Sequence, residues 1–217
     1  MLLVELCAGS SSVGRVAKDE GWDIVTVDND PSWNPDILGD ICSEEVQAKL
    51  RELKPDLCVA SPPCTHFSIA RTKAKLPRDV EGIGLPPVLA CLKMIRAWGC
   101  MWVLETPATS LLRKQECMQG MHCQVSSHCL FGSPFQKHTA CYHSGFLSLP
   151  PKCRGNCGQC VLGAKGRMVH KATAQGGPSR LSGGWAEGTA LDSRQSYLML
   201  LAKEILRQSK EWQPSAS

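Results

Sequence analysis

Four short apolar runs, Leu2–Leu6, Asp23–Asp28, Asp56–Ala60 and Met101–Glu105, recur along the first half of the chain with helical patterns between them. That alternation constrains the fold more than any other feature. Strands separated by helices favour a parallel sheet with right-handed crossovers and helices packed on its faces. The intervening segments agree. A helix follows the turn Ser10-Ser11-Ser12 and runs to about Glu20. Ser43 caps a second helix through Leu53, with Glu44 and Glu45 in its first turn, where the dipole favours acids. Residues 86–98 carry apolar positions at helical spacing. Two further strand-like runs, Cys123–Leu130 and Thr139–Phe146, flank Phe131–His138. Near the end, Asp192 caps a helix to about Trp212, and its stripe Leu198, Leu201, Ala202, Ile205 is expected to pack back on the sheet. The expected fold is α/β, with a Rossmann-like doubly wound sheet.

At 217 residues the chain is one domain, or one with a small appendage. Its 43% hydrophobic content is enough to build a core. No apolar run approaches the ~20 residues of a membrane span, and the opening reads as a strand rather than a secretory signal. The expectation is an intracellular protein without a membrane partner, nuclear if the source is eukaryotic; oligomeric state is not legible.

Charge is unevenly placed. Residues 1–134 hold 13 Lys/Arg against 16 Asp/Glu, and residues 135–217 hold 11 against 4. Between Cys117 and Ala186 there are seven basic residues and no acid. This is either a solvated basic loop or a face for a polyanion, most simply nucleic acid. The stretch from Pro150 to about Gly188 is also glycine-rich, with little periodicity. The chain therefore divides into a core at 1–146, a small basic lobe at 147–190 and a C-terminal helix at 191–217.

Thirteen cysteines in a chain read as intracellular do not make a disulfide framework. Cys7, Cys58, Cys91 and Cys100 sit among apolar neighbours and suit a core. Cys153, Cys157 and Cys160 differ: three thiols within eight residues of a Gly-rich loop, with His170 ten residues on, can wrap one tetrahedral zinc. His143 and Cys141 are alternative fourth ligands. Zinc would supply the folding energy that a core-poor lobe lacks; otherwise these thiols are incidental in a Cys-rich chain.

The remaining unusual residues fall at predicted strand ends, where open α/β sheets bind ligands. After the first strand, Cys7-Ala8-Gly9-Ser10-Ser11-Ser12 forms a small-residue turn that allows close backbone approach to a ligand. It lacks the glycine spacing of dinucleotide folds. Asp28, at the end of the second strand, can accept hydrogen bonds from both hydroxyls of a ribose. After the third, Ser61-Pro62-Pro63 removes two backbone donors and holds Cys64 on a rigid loop, as a nucleophile requires. After the fourth, Glu105 places a carboxylate at the same edge.

Together these blocks resemble the cytosine-C5 DNA methyltransferases. The likeness rests on Pro62-Pro63-Cys64, on Leu104-Glu105-Thr106-Pro107, on the Leu6-Cys7-Ala8-Gly9 loop with Asp28 downstream, and on their order and spacing. Phe131-Gly132-Ser133-Pro134-Phe135-Gln136-Lys137 looks like the next block, so the resemblance covers about residues 1–145 and is nearest to small viral, phage and protist members. It implies a class I methyltransferase sheet and S-adenosylmethionine as cofactor. Cys64 would attack C6 of a flipped cytosine, and Glu105 would contact N3 and the exocyclic amine. Cys7, Ala8, Gly9, Ser10 and Ser12 would line the methionine end, with Asp28 and Asn29 at the ribose. Asp40 and Ile41 would meet the adenine, and Ser61 and Pro62 would close the floor. Ser68, Arg71, Gln136 and Lys137 would hold the DNA.

Three positions depart from the family. Ser11 stands where a second glycine is frequent, and Thr106 replaces the usual Asn. Gln136-Lys137-His138 replaces a Gln-x-Arg-x-Arg block. Two other readings therefore stay open: a tRNA cytosine-C5 methyltransferase sharing this core, and a nucleic-acid-binding pseudoenzyme.

Overall fold

The computed structural model describes residues 1–69, 77–133, 136–162, 166, 168–170 and 189–212, with side chains of the last helix from residue 200. Arg71, Phe135 and most of the stretch from 163 to 188 lie outside the described residues.

The four apolar runs form β1 (Leu2–Leu6), β2 (Asp23–Asp28), β4 (Leu57–Ala60) and β5 (Met101–Pro107). A two-residue strand, β3 (Ile37–Leu38), has no counterpart in the sequence reading because it is too short to show alternation. With β6 (His122–Ser127) and β7 (His138–His143) they make one seven-stranded sheet in the order β3-β2-β1-β4-β5-β7-β6. Pairings from β3 to β5 are parallel, as expected. The far edge is not: β7 runs antiparallel between β5 and β6. The segment joining β6 to β7 is too short for a crossover, so the two close as a hairpin.

The central strands β1, β4 and β5 are covered on both faces, and successive residues alternate between two cores. Val4, Leu6, Cys58, Ala60 and Leu104 meet α2 (Glu44–Arg51) and α3 (Leu85–Trp98) through Val46, Leu50, Val88, Leu92 and Ile95. Leu3, Leu57, Val59 and Val103 share the other core with Val16 and Ala17 of α1 (Ser12–Asp19) and Leu201, Ala202, Ile205 and Leu206 of α4 (Thr189–Glu211). Leu201, Ala202 and Ile205 of the C-terminal stripe do pack back on the sheet; the Leu198 side chain lies outside the described residues. Its helix begins earlier than expected, so Asp192 lies within it rather than capping it. Ser43 caps α2 by accepting from Val46 N at 3.2 Å.

All thirteen cysteines are free. Cys58 and Cys91 are buried, while Cys7 and Cys100 are half-buried. No described helix is long and apolar enough to cross a membrane. Beyond the sheet, β8 (Cys160–Leu162) and β9 (Met168–His170) form a separate two-stranded ribbon.

Candidate active site

The parallel strands β1, β2, β4 and β5 all end at one edge, so their terminal loops converge there. At the end of β1 the backbone takes a left-handed conformation at Cys7, Gly9 and Ser11, with φ of 53°, 49° and 48°. Three such residues in five coil the chain tightly before α1. Two carboxylates fasten the coil. Asp28 Oδ2 accepts from Gly9 N at 2.8 Å, and its Oδ1 accepts from Asp30 N at 2.9 Å. From beneath, Glu5 accepts from Ser11 Oγ at 2.8 Å, Gly14 N at 2.8 Å and Val13 N at 3.3 Å.

Glu5, within the first apolar run, was not singled out by the sequence. It is only 4% exposed, and burial pushes its carboxyl above the usual range against the pull of those hydrogen bonds. Ser11 explains its own departure from glycine. Its positive φ is strained for a residue with a Cβ, and its hydroxyl offsets part of that through the bond to Glu5. Ser10 and Ser12 hydroxyls lie 3.1 Å apart.

A cavity of about 140 Å³ opens beside this coil. Cys7, Asp28, Asn29, Asp40, Ile41 and Ser61, six of the residues expected at a cofactor, line it, with Val27, Gly39, Pro63 and Pro87. Pro62 is buried and does not line it; Pro63 takes that place. A volume below the roughly 300–1,000 Å³ of a site for a whole drug-sized ligand suits one part of a nucleoside cofactor. Asp28 spends one lone pair of each oxygen on the backbone, which leaves others for a ribose. A larger, shallow groove of about 680 Å³ between α4 and Leu130–Gly132 includes none of the residues expected at the cofactor or the chemistry.

Cys64 follows the two prolines at the end of β4, half-buried, at the start of a 3-10 turn whose Phe67 is fully buried. Phe67 N donates to Cys64 O at 3.0 Å, so the Cys64 peptide is tied down. Glu105 stands at the end of the neighbouring strand. Burial first, and then the Glu105 charge, push the Cys64 thiol above its ordinary value, while the Lys137 ammonium pulls it back.

The reversed strand β7 supplies the rest. In the β5–β7 register Glu105 faces Cys141 and Thr106 faces Ala140. Glu105 Oε1 accepts from Thr139 Oγ1 and lies 3.5 Å from Lys137 Nζ. Lys137, expected at DNA, thus contacts the Glu105 carboxylate. Gln136, also expected at DNA, donates from Nε2 to Cys153 O at 3.2 Å. Ser68 is half-buried, and its carbonyl accepts from Arg78 at 2.8 Å. Thr106 is buried, and its hydroxyl has no partner among the described residues. His128, missed by sequence reasoning, is buried beside this group; burial and then the Lys137 charge lower its imidazole to about 4, so the ring is neutral.

The lobe thiols gather as their spacing suggested, with one addition. Cys129, Cys153, Cys157 and His170 offer donor atoms all within 4.8 Å of one another. Cys160 Sγ lies 3.7 Å from Cys157 Sγ and 3.4 Å from His170 Nε2. The two alternative ligands are corrected. Cys141 is buried in the sheet, and His143 accepts at Nδ1 from Gly145 N and Leu147 N. Neither belongs to the group.

No family model and no curated protein matches the chain. Solved structures do. The methyltransferase EhMeth of Entamoeba histolytica aligns with a TM-score of 0.50 at 10% identity, covering 70% of this chain and 56% of that one. The S. pombe Dnmt2 methyltransferase gives 0.48 at 13%, covering 76% and 56%. A candidate DNA modification methyltransferase encoded within a prophage of E. coli gives 0.48 at 13%, covering 66% and 46%. The chain thus spans about half the length of the structures it matches, and the likeness to EhMeth is one of fold.

Proposed function

We propose that this chain is an S-adenosylmethionine-dependent methyltransferase acting on C5 of cytosine in nucleic acid, with DNA as the leading substrate. One observation carries the reading. A cysteine fixed by two prolines and a carboxylate held by Lys137 and Thr139 stand at the ends of neighbouring strands, and a cavity of nucleoside character opens at the same edge.

Cys64 Sγ, as thiolate, adds to C6 of the ring, and Glu105 holds N3 and the exocyclic amine so that the electrons displaced toward C5 are stabilised. Bound S-adenosylmethionine would supply the methyl group for C5. Loss of the C5 proton to a base then drives elimination of the Cys64 thiolate and restores the aromatic ring. A target inside a duplex must be flipped out, at a cost of a few kcal/mol. Cys7, Asp28, Asn29, Asp40, Ile41 and Ser61 fit the adenosine part of the cofactor, and the Ala8–Ser12 coil, outside the lining of that cavity, would take its methionine end.

The test is incubation of the full chain with labelled cofactor and separate DNA and RNA pools, followed by mapping of the methylated base. 5-Methylcytosine in DNA is expected. DNA carrying 5-fluorocytosine should trap the protein covalently through Cys64, because fluorine cannot leave as a proton. Methylation confined to tRNA would move the substrate; cofactor binding without turnover would mark a pseudoenzyme. An adduct on any other cysteine would overturn the assignment of Cys64.

A further inference from the structure

The structure assigns Cys129 as a fourth ligand, with Cys153, Cys157 and His170, of one structural zinc-class ion that staples the basic lobe to the β6–β7 hairpin. Cys129 stands in no cysteine motif. It lies 24 residues before Cys153, in the turn at His128–Phe131 that follows β6. Zinc bonds of roughly 2.3 Å to sulfur and 2.0 Å to nitrogen place tetrahedral ligands about 3.8 Å apart between sulfurs and about 3.5 Å from sulfur to nitrogen. His170 Nε2 lies 3.2 Å from Cys157 Sγ and 3.7 Å from Cys153 Sγ. Cys129 completes a set in which every donor is within 4.8 Å of every other. Binding would release one proton from each of three thiols, leaving a centre of net charge −1 beside the basic residues Lys152 and Arg154. Gly155 N already donates to Cys153 Sγ at 3.3 Å, a bond that stabilises a thiolate.

Two further observations favour an ion. The ribbon β8–β9 has no apolar core of its own: Val161, Leu162, Met168 and Val169 are all exposed. A lone two-stranded ribbon is marginal in water, and metal binding supplies the missing folding energy. In addition, the lobe already docks where the ion would hold it. Cys153 N donates to Ser127 Oγ at 2.9 Å, and that hydroxyl lies 2.7 Å from His138 Nδ1.

Cys160 is the competing fourth donor, since zinc accepts four ligands and five are within reach. Cys129 and Cys153 are 2% and 3% exposed, whereas Cys160 sits half-exposed on β8. A closed site roofed by buried donors is the structural kind, which favours Cys129. The ion itself does not depend on the proposed methylation. Only its consequence does: the same hairpin carries Lys137 and Thr139, which hold Glu105.

The experiment uses metal readouts alone. Elemental analysis of the full chain should give one zinc per chain, and cobalt substitution should give tetrahedral bands with charge transfer from three thiolates. Cys129→Ser should weaken zinc binding by more than the roughly 10–100-fold of an outer-shell change and remove one thiolate's share of the charge transfer. Cys160→Ser should keep both within about 10-fold, the lower end of that outer-shell range. A readout on the wild type guards against a variant that fails to fold. In the zinc-loaded chain Cys160 should react with an alkylating agent, while Cys129 becomes reactive only after chelation. Protein that takes up no zinc, or a Cys160 protected by zinc with Cys129 indifferent to it, would overturn the assignment.

Discussion

Lys137 Nζ lies 3.5 Å from Glu105 Oε1, and both charges act on the Cys64 thiol, in opposite senses. The contact exists because β7 runs backwards beside β5 and brings Thr139 and Lys137 to the strand end where Glu105 stands. Lys137 therefore tunes the proposed nucleophile from a hairpin far from it in sequence.

The pH dependence of Cys64 reactivity should follow. Its thiol is held above the ordinary value, first by burial and then by Glu105, so the reactive thiolate is scarce at neutral pH and grows as pH rises. Glu105→Gln removes a negative neighbour and should shift the reactivity profile to lower pH. Lys137→Met removes the positive one and should shift it higher. Iodoacetamide rates at the Cys64 peptide, followed by mass spectrometry across pH, measure both. Shifts in the opposite order would separate Cys64 from this pair.

Turnover gives a second check on Glu105. A group that acts mainly in the transition state lowers kcat without a matching loss of binding. Glu105→Gln should reduce kcat by roughly 10²–10⁴-fold, the range for a positioned proton-transfer or hydrogen-bonding group, while DNA affinity stays nearly unchanged. A near-normal kcat would leave Glu105 only a structural partner of Thr139.

Asp28 holds the Gly9 amide as well as facing the cavity, so its removal affects the loop and the ligand together. Asp28→Ala should weaken S-adenosylhomocysteine binding by ~1–3 kcal/mol, as expected when paired groups lose their acceptor. Asp28→Asn, which keeps one acceptor oxygen, should lose less. Calorimetry with unchanged affinity in the alanine variant would take Asp28 out of the cofactor site.

The sequence was most legible where periodicity and punctuation coincide. Strands buried on both faces, such as Leu57–Ala60, show as continuous apolar runs, and the loop after that one carries Cys64, while Asp28 closes β2. Six expected cofactor residues share one cavity because the parallel register brings those strand ends together. The missed features arise from pairings distant in sequence. Nothing local in His138–His143 announces that this strand runs backwards beside β5, so the contact of Lys137 with Glu105 was not legible. Cys129 is separated from the lobe thiols by the whole of β7 and shows no ligand spacing. Glu5 lies within the first apolar run and becomes a buried anchor only once α1 folds over it.

That anchor supports a prediction about the cofactor coil. A Cβ at position 14 would lie 2.3 Å from Ser11 Oγ and 2.8 Å from Glu5 Oε2, closer than atoms in contact can approach. Gly14→Ala should therefore displace Ser11 from Glu5 and destabilise the fold by ~1–3 kcal/mol, the usual cost of overpacking. Ser11→Gly acts in two opposing directions. It relieves a left-handed residue, worth roughly 1–2 kcal/mol, and it removes a hydrogen bond to a buried carboxylate, worth about 1.5–3 kcal/mol for a charged acceptor. The two nearly cancel, so global stability should change little. Glu5 should become harder to ionise, because the Ser11 bond is the largest of the effects that lower its raised carboxyl. An acid whose folded value lies above its unfolded one binds its proton more tightly when folded, so stability declines as pH rises from the ordinary carboxylate value through the folded one. Ser11→Gly should extend that decline to higher pH, and urea midpoints measured across the acid range would show it. A variant with the same profile as the parent would mean that Ser11 contributes nothing to holding the Glu5 carboxylate.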